Sequence, residues 1–143
     1  GVGCLMNLLE PPGIHQTQQS EIYFFHEGGL PFLDEKLATY SNAKKAFKRI
    51  SSTIAACHEP KGLFKGSEVS GIVSPLSFPK VATASVSYSM VFTTETTHAT
   101  LYYDYVIARK KNVIVAVLEG SYPSVSMTQF SGFVTVALAK VGS

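Results

Sequence analysis

The chain has 143 residues, of which 45% are hydrophobic and 15% are charged, and this composition predicts one globular domain over residues 1–143. Its 12 Lys and Arg residues against 10 Asp and Glu residues leave a net charge of +2, which is too small to predict general nucleic-acid binding. No run of about 18 apolar residues occurs, so the sequence predicts no transmembrane segment.

The N-terminal third carries only weak patterns. A short apolar segment at residues 4–9 ends at the Glu-Pro-Pro-Gly sequence of residues 10–13, where proline removes backbone donors. Residues 16–20 are polar and predict a loop. Residues 21–26 are rich in aromatic and branched side chains and predict a strand, and a second extended segment is expected at 35–40.

Residues 42–57 carry the clearest helical pattern. Apolar side chains recur there every three or four residues, at Ala43, Phe47, Ile50, Ile54 and Cys57. Ser41 or Asn42 is expected to cap the first turn. The outward side of this helix is basic, and its residues are Lys44, Lys45, Lys48 and Arg49. We interpret this basic face as a solvated surface, with docking to an anionic lipid surface or an acidic glycan as the alternative.

The second half of the chain predicts an antiparallel sheet. After a Gly- and Pro-rich stretch with one short strand near residues 69–73, polar and apolar side chains alternate through residues 82–93 and again through 98–107. A turn at residues 94–97 joins these two segments into a long hairpin. Residues 113–118 are apolar on both faces, which predicts a central strand that needs covering on both sides.

A second helix is predicted at residues 126–141. Ser126 and Gln129 fit a capping box, and Gly142 follows the last turn. The buried stripe of this helix is expected to contain Met127, Phe130, Val134, Ala137, Leu138 and Val141. Because the chain shows neither βαβ alternation nor internal repeats, it predicts an α+β fold. In this fold two amphipathic helices pack on one face of an antiparallel sheet made of the long hairpin and the central strand.

The two cysteines, Cys4 and Cys57, are interpreted as one disulfide. Cys57 ends the apolar stripe of the first helix, where a bridge could hold the N-terminal segment, and closing a loop of about 50 residues should stabilise the domain by about 4 kcal/mol. Two unpaired structural cysteines, or lipid attachment or reactivity of either cysteine, are the alternatives. A disulfide predicts an extracytoplasmic protein, secreted or anchored through a missing N-terminal segment.

The sequence contains no recognisable catalytic, metal or cofactor motif. The histidines His15, His26, His58 and His98 are scattered, and no ligand-spaced His or Cys accompanies Cys57. The glycines fit neither a phosphate loop nor a dinucleotide fingerprint. We therefore expect a protein that is not an enzyme and that holds neither a metal ion nor a cofactor.

The polar side of the predicted hairpin is the candidate ligand site. His98, Tyr102 and Asp104 share one side of the second strand, opposite Ser and Thr residues of the first. A solvated sheet face is one interpretation of this pattern. The other is a ligand groove in which Tyr102 offers an aromatic surface and His98 or Asp104 orients a polar group.

The order of the predicted elements resembles a known family. A Tyr-Ser-Asn-Ala run at residues 40–43 opens a helix that ends in Cys57, a long hairpin follows, and the sequences Val-Ile-Ala-Arg-Lys-Lys-Asn-Val-Ile-Val-Ala-Val (106–117) and Ala-Leu-Ala-Lys-Val (137–141) come last. Over residues 35–143 this pattern resembles the extracellular sensor domain of the mycobacterial kinase PknH and related actinobacterial lipoproteins. The chain lacks the Trp that often precedes the helix cysteine in that family, and it has one cysteine pair where two disulfides are frequent.

The resemblance implies a secreted or membrane-tethered domain without catalytic activity. Such a domain is expected to bind a small molecule or a cell-envelope lipid in a cleft beside the sheet. The alternative function is a protein-interaction module of the cell envelope, which would use the basic face or a strand such as residues 82–93 left at a sheet edge.

Overall fold

The computed structural model describes residues 3–26, 29–64 and 66–142 of the chain. A short 3-10 turn at Gly3–Leu5 precedes the strands and helices. The strands are β1 (Gln16–Phe25), β2 (Phe32–Tyr40), β3 (Lys61–Phe64), β4 (Ser67–Pro75), β5 (Ala84–Thr94), β6 (Thr100–Lys110) and β7 (Val113–Ser121). The helices are α1 (Ala43–Ala55) and α2 (Met127–Ala139). The predicted α+β class, with an antiparallel sheet, two helices and one disulfide, is confirmed.

The strands form one antiparallel sheet in the order β1-β2-β7-β6-β5-β4-β3. The predicted interior strand is β7, which pairs with β2 on one side and with β6 on the other. The predicted hairpin is β5 and β6, with Ser89 opposite Asp104. The strand at residues 82–93 is not an edge, because β5 lies between β4 and β6, and the edges are β1 and β3.

The two helices pack on opposite faces of the sheet, so the prediction that both cover one face is wrong. Ile50 of α1 belongs to the same buried cluster as Ile114 of β7, whereas Val134 of α2 clusters with Val115 and Val117. Successive residues of a strand point to opposite faces. The doubly apolar β7 therefore needs a cover on each side, and each helix supplies one. We call the two sides of the sheet the α1 face and the α2 face.

Both predicted N-terminal helix caps are present. The Asn42 side chain accepts a hydrogen bond from the backbone N–H of Lys45 at 3.0 Å, and the Ser126 hydroxyl accepts one from that of Gln129 at 3.3 Å. Within the described ranges, no helix is long and apolar enough to cross a membrane.

The loop predicted at residues 16–20 is wrong, because these residues form the first half of β1. Ser20, for example, pairs with Leu37 of β2. β1 is an edge strand whose side chains are largely exposed on both faces. A strand exposed on both faces needs no alternation of polar and apolar residues. The polar first half of β1 therefore has the sequence pattern of a loop, which explains the wrong prediction.

The predicted disulfide between Cys4 and Cys57 is confirmed, and it joins residues 53 positions apart. α1 ends at Ala55, so Cys57 lies just beyond the helix and not in its last turn as predicted, but it is buried, at 1% exposed. The segment after Cys4 is packed as well, since Leu8 and Leu9 belong to the core under α1. The Tyr40 hydroxyl donates a hydrogen bond to the Leu9 carbonyl oxygen. The bridge therefore holds the N-terminal segment against the domain.

Candidate functional site

An open groove lies between α2 and the β1–β2 hairpin. α2 packs on β7 and β6, since Val134 clusters with Val115 and Val117, and Lys110 Nζ at the end of β6 donates to the carbonyl oxygens of Leu138 and Val141 at 3.3 and 2.8 Å. β1 is separated from β7 by β2, so it extends the sheet beyond the helix. Two clefts of about 470 and 620 Å³ occupy this space, and both are lined by Lys140. We call the two clefts together the α2 groove.

One end of the α2 groove, the smaller cleft, is apolar. Its walls come from the β1–β2 hairpin and from α2, and their apolar members include Phe24, Phe25, Phe32, Leu33, Phe133 and Val136. By strand alternation the side chains of Phe24 and its partner Leu33 point to this face. Phe24 is 54% exposed and Val136 is 57% exposed. This end therefore leaves aromatic and aliphatic surface in contact with water.

The other end of the α2 groove, the larger cleft, is more polar. Its lining includes Gln18, Gln19, Ser20 and Thr39 beside the apolar residues Leu37, Ala38, Val113 and Val141. By strand alternation Gln18, Ser20 and Thr39 point their amide or hydroxyl groups to this face. Amides and hydroxyls both donate and accept hydrogen bonds, so this end can meet an uncharged polar group from several directions.

An ion pair stands where the two ends meet. Lys140 Nζ lies 2.7 Å from Oε1 of Glu35, which is 3% exposed. The Lys140 side chain itself is partly exposed. An ammonium group has three donors and Glu35 occupies one of them, so Lys140 can still donate to a ligand in the groove. Because Glu35 balances the charge of Lys140, this point is polar without being strongly cationic.

A second polar feature of the α2 face is a pair of buried carboxyl groups. Asp104 of β6 and Glu119 of β7 are direct cross-strand partners. Glu119 is fully buried, Asp104 is 8% exposed, and neither carboxyl oxygen of Glu119 has a hydrogen-bond partner. Burial, with the nearby charge of Asp104, raises the pKa of Glu119 to about 7. Burial also raises the pKa of Asp104.

The structure brings two of the three predicted ligand residues together. Tyr102 and Asp104 are two residues apart on β6 and lie on the α2 face, and the Tyr102 ring is 6.3 Å from that of Tyr122. His98 is exposed in the turn before β6, with a φ of 56°. Burial of Asp104 also means that this part of the hairpin is not simply a solvated face.

Sequence reasoning missed Glu119, although a signal was present. The predicted strand ended at Leu118, whereas β7 continues to Ser121. Glu119 lies two residues after Val117 and therefore points to the same face, towards α2. A predicted strand longer by three residues would have placed the Glu119 carboxyl group on that buried face.

The α1 face carries a further polar cluster on the β1–β2 hairpin. Lys36 Nζ lies 3.3 Å from Glu21 Oε2. Burial and a hydrogen bond with Glu21 raise the pKa of Asp34 to about 7. Burial alone would raise the pKa of Glu21, but hydrogen bonds with Tyr23 and Asp34 and the charge of Lys36 outweigh it and lower that pKa. The hydrogen bond with Glu21 in turn raises the pKa of Tyr23 to about 12.

The basic face of α1 is exposed at Lys44, Lys45, Lys48 and Arg49. Arg49 Nη1 donates a hydrogen bond to the Pro12 carbonyl oxygen at 2.7 Å, so this residue helps to hold the N-terminal segment. Elsewhere, the part of the chain that the structure describes contains no group of three or more His, Cys, Asp or Glu residues placed to hold a metal ion.

The chain matches no protein-family profile, no curated protein sequence and no solved structure. The resemblance to the PknH sensor domain therefore stays a prediction, and any function must be argued from the geometry above.

Proposed function

We propose that this chain is a non-enzymatic extracytoplasmic binding domain whose α2 groove holds one amphipathic molecule, such as a cell-envelope lipid. The observation that carries the proposal is the order of side chains along the groove. Aromatic and aliphatic residues line one end, the Lys140–Glu35 ion pair stands in the middle, and amides and hydroxyls line the other end. An acyl chain would lie in the apolar cleft and its head group in the polar one.

The extracytoplasmic location is supported by the disulfide between Cys4 and Cys57. Disulfides persist in oxidising compartments and are rare in the cytosol. The protein would be secreted or held at a membrane surface, where lipids and other amphiphiles of the cell envelope are within reach.

The apolar cleft supplies the affinity in this proposal. Burying apolar surface contributes about 25 cal/mol per Å², so covering about 200 Å² of the cleft contributes about 5 kcal/mol before the cost of immobilising the ligand. The polar cleft supplies orientation. Because Glu35 already balances Lys140, an uncharged hydroxylated head group fits this end better than a highly charged one.

Val136→Asp should weaken the binding of dodecyl maltoside, a single-chain amphiphile with a hydroxylated head group, by at least about 10-fold. The new carboxylate would have to lose its water against the alkyl chain, which is strongly unfavourable. Isothermal titration calorimetry below the critical micelle concentration measures the effect.

Ile72→Asp is the matched control for this substitution. Ile72 is 58% exposed, against 57% for Val136, and lies on β4, close to the opposite edge of the sheet. The control variant should bind like the wild type. Equal losses in the two variants, or no binding by the wild type, would refute a site in the α2 groove.

The edge strand β1 favours a second function, the recruitment of a protein by strand addition. Ile22, Tyr23, Phe24 and Phe25 are between 39% and 67% exposed on a ten-residue edge strand. An extended segment of another protein could pair with such an edge. Retention of an envelope protein by the immobilised domain, without an amphiphile adduct in native mass spectrometry, would favour this function over the first.

A further inference from the structure

Two buried acids on the α2 face differ in one respect that points to a missing partner. Glu35 and Glu119 are buried to a similar degree and lie on adjacent strands. Glu35 has the ammonium of Lys140 at 2.7 Å, whereas both carboxyl oxygens of Glu119 are without a hydrogen-bond partner. A buried carboxylate is strongly unfavourable unless it is paired or coordinates a metal ion.

The neighbour of Glu119 makes the need for a cation greater. Asp104, its direct cross-strand partner, is also buried and also acidic. The Cβ atoms of such partners are about 5 Å apart, and like charges placed there repel. Among the described residues, the ion pairs join Lys36 to Glu21 and Lys140 to Glu35, so no protein cation pairs with either member of this acid pair.

The acid pair has the apolar residues Leu33, Val106 and Val117 on two sides and hydroxyl-bearing residues on the others. Ser89 is the β5 partner of Asp104, while Tyr102 and Ser121 are partners of each other at the next position of the same face. Ca²⁺ takes about six to eight oxygen ligands, so two bidentate carboxylates and three hydroxyls come close to filling its shell, and water can supply the rest. Among the described strand neighbours of the pair none is a His or Cys, the ligands that zinc and softer metals prefer.

We infer that Asp104 and Glu119 bind a hard divalent cation, Ca²⁺ in preference to Mg²⁺, with Ser89, Tyr102 and Ser121 completing the site. Mg²⁺ demands a near-octahedral shell and gives up its water reluctantly, which suits a buried site less well. Sites with few charged ligands in extracellular modules bind Ca²⁺ with dissociation constants of about 10⁻⁴ to 10⁻³ M, and we expect this range here. The inference does not depend on ligand binding in the α2 groove.

The first test is thermal unfolding of chelator-treated protein with added metal. The wild type should gain on the order of 3 °C in Tm at about 10 mM CaCl₂ and less with MgCl₂, because a ligand that binds only the folded state stabilises it. Glu119→Gln should fold, since it removes an uncompensated charge, and should lose the response to Ca²⁺. Asp34→Asn, which changes a carboxyl group on the opposite face, should keep it.

The second test uses Tb³⁺, which replaces Ca²⁺ and emits when a nearby tyrosine is excited. Emission should appear with the wild type, fall several-fold in Tyr102→Phe, disappear in Glu119→Gln, and be displaced by Ca²⁺. If the wild type shows neither a Tm shift with Ca²⁺ nor Tb³⁺ emission, the site does not exist. If Glu119→Gln responds as strongly as the wild type, the cation binds elsewhere and the inference is overturned.

Discussion

Replacing Cys4 and Cys57 together with serine should lower the free energy of unfolding by about 4 kcal/mol. The bridge closes a loop between residues 53 positions apart, and without it the unfolded chain regains the freedom that the bridge removes. For a domain of this size the loss corresponds to a decrease in Tm on the order of 10 °C. Chemical denaturation followed by circular dichroism measures the free energy, and a scanning calorimeter measures Tm.

The same double variant should loosen the N-terminal segment before the sheet. Leu8 and Leu9 would then be held by packing, by the hydrogen bonds from Tyr40 and Gln16 to the Leu9 carbonyl oxygen, and by the bond from Arg49 to Pro12. Hydrogen exchange should therefore increase first in residues 3–14. Tyr40→Phe is the control, because it removes one hydrogen bond to Leu9 and keeps the bridge, and it should cost only about 1 to 2 kcal/mol. A double variant no less stable than Tyr40→Phe would show that the bridge is not what stabilises this segment.

Asp34→Asn should stabilise the domain at pH 8 and leave its stability almost unchanged near pH 4. The ordinary pKa of an aspartate is 3.8, and in the folded domain that of Asp34 is raised to about 7. The folded state therefore holds a proton that the unfolded state has lost, and stability falls as the pH rises from about 4 to about 7. The asparagine side chain cannot titrate, so this part of the decline disappears in the variant.

The size of the effect follows from the shift in pKa. A shift of about three units is equivalent to about 4 kcal/mol, and because Asp34 is partly exposed and shares its proton with Glu21 we expect about 2 kcal/mol. Glu21 does not oppose the trend, since its pKa is below the ordinary 4.5 and it is ionised in both states above pH 5. The measurement is urea denaturation of both proteins from pH 4 to pH 8.

Glu95→Gln provides the control, since it makes the same change in net charge in the exposed turn between β5 and β6. Parallel pH profiles for the wild type and Asp34→Asn would mean that Asp34 does not keep its proton in the folded state. A difference that grows between pH 4 and pH 7, and then levels off, is the expected outcome.

Strong periodicity made the centre of the fold predictable. Three patterns each predict a local structure: the doubly apolar run in β7, the alternation in β5 and β6, and the apolar stripes of both helices. They do so because an element that is buried on one side needs apolar residues at its own repeat, about two residues in a strand and about 3.6 in a helix. The same run in β7 also showed that both faces need covering. What it did not show is which helix covers which face, since the two stripes are chemically alike.

The α2 groove could not be predicted in the same way, because its walls come from segments far apart in the chain. Phe24 and Phe25 stand on an edge strand, where exposure removes the alternation that marks a half-buried strand. Phe133 and Val136 lie outside the predicted buried stripe of α2. Apolar residues outside the buried stripe were the available signal that a second side of this helix also presents an apolar surface.

The sequence placed two of the proposed ligand residues relative to each other but not relative to the rest of the sheet. The alternation in β6 placed Tyr102 and Asp104 on one side, and the structure puts both on the α2 face. The alternation could not show that Asp104 and Glu119 are cross-strand partners, because the register depends on the whole β6–β7 pairing. His98 falls outside the strand, since β6 begins at Thr100.

The claim that an amphiphile occupies the α2 groove is tested most directly by an NMR titration of the isotope-labelled domain with dodecyl maltoside. The account predicts saturable shifts of the backbone amides of Phe24, Leu33, Val136 and Lys140, with the amides of β4 around Ile72 unmoved. Shifts centred on the β3–β4 edge, or no saturable shifts below the critical micelle concentration, would contradict it.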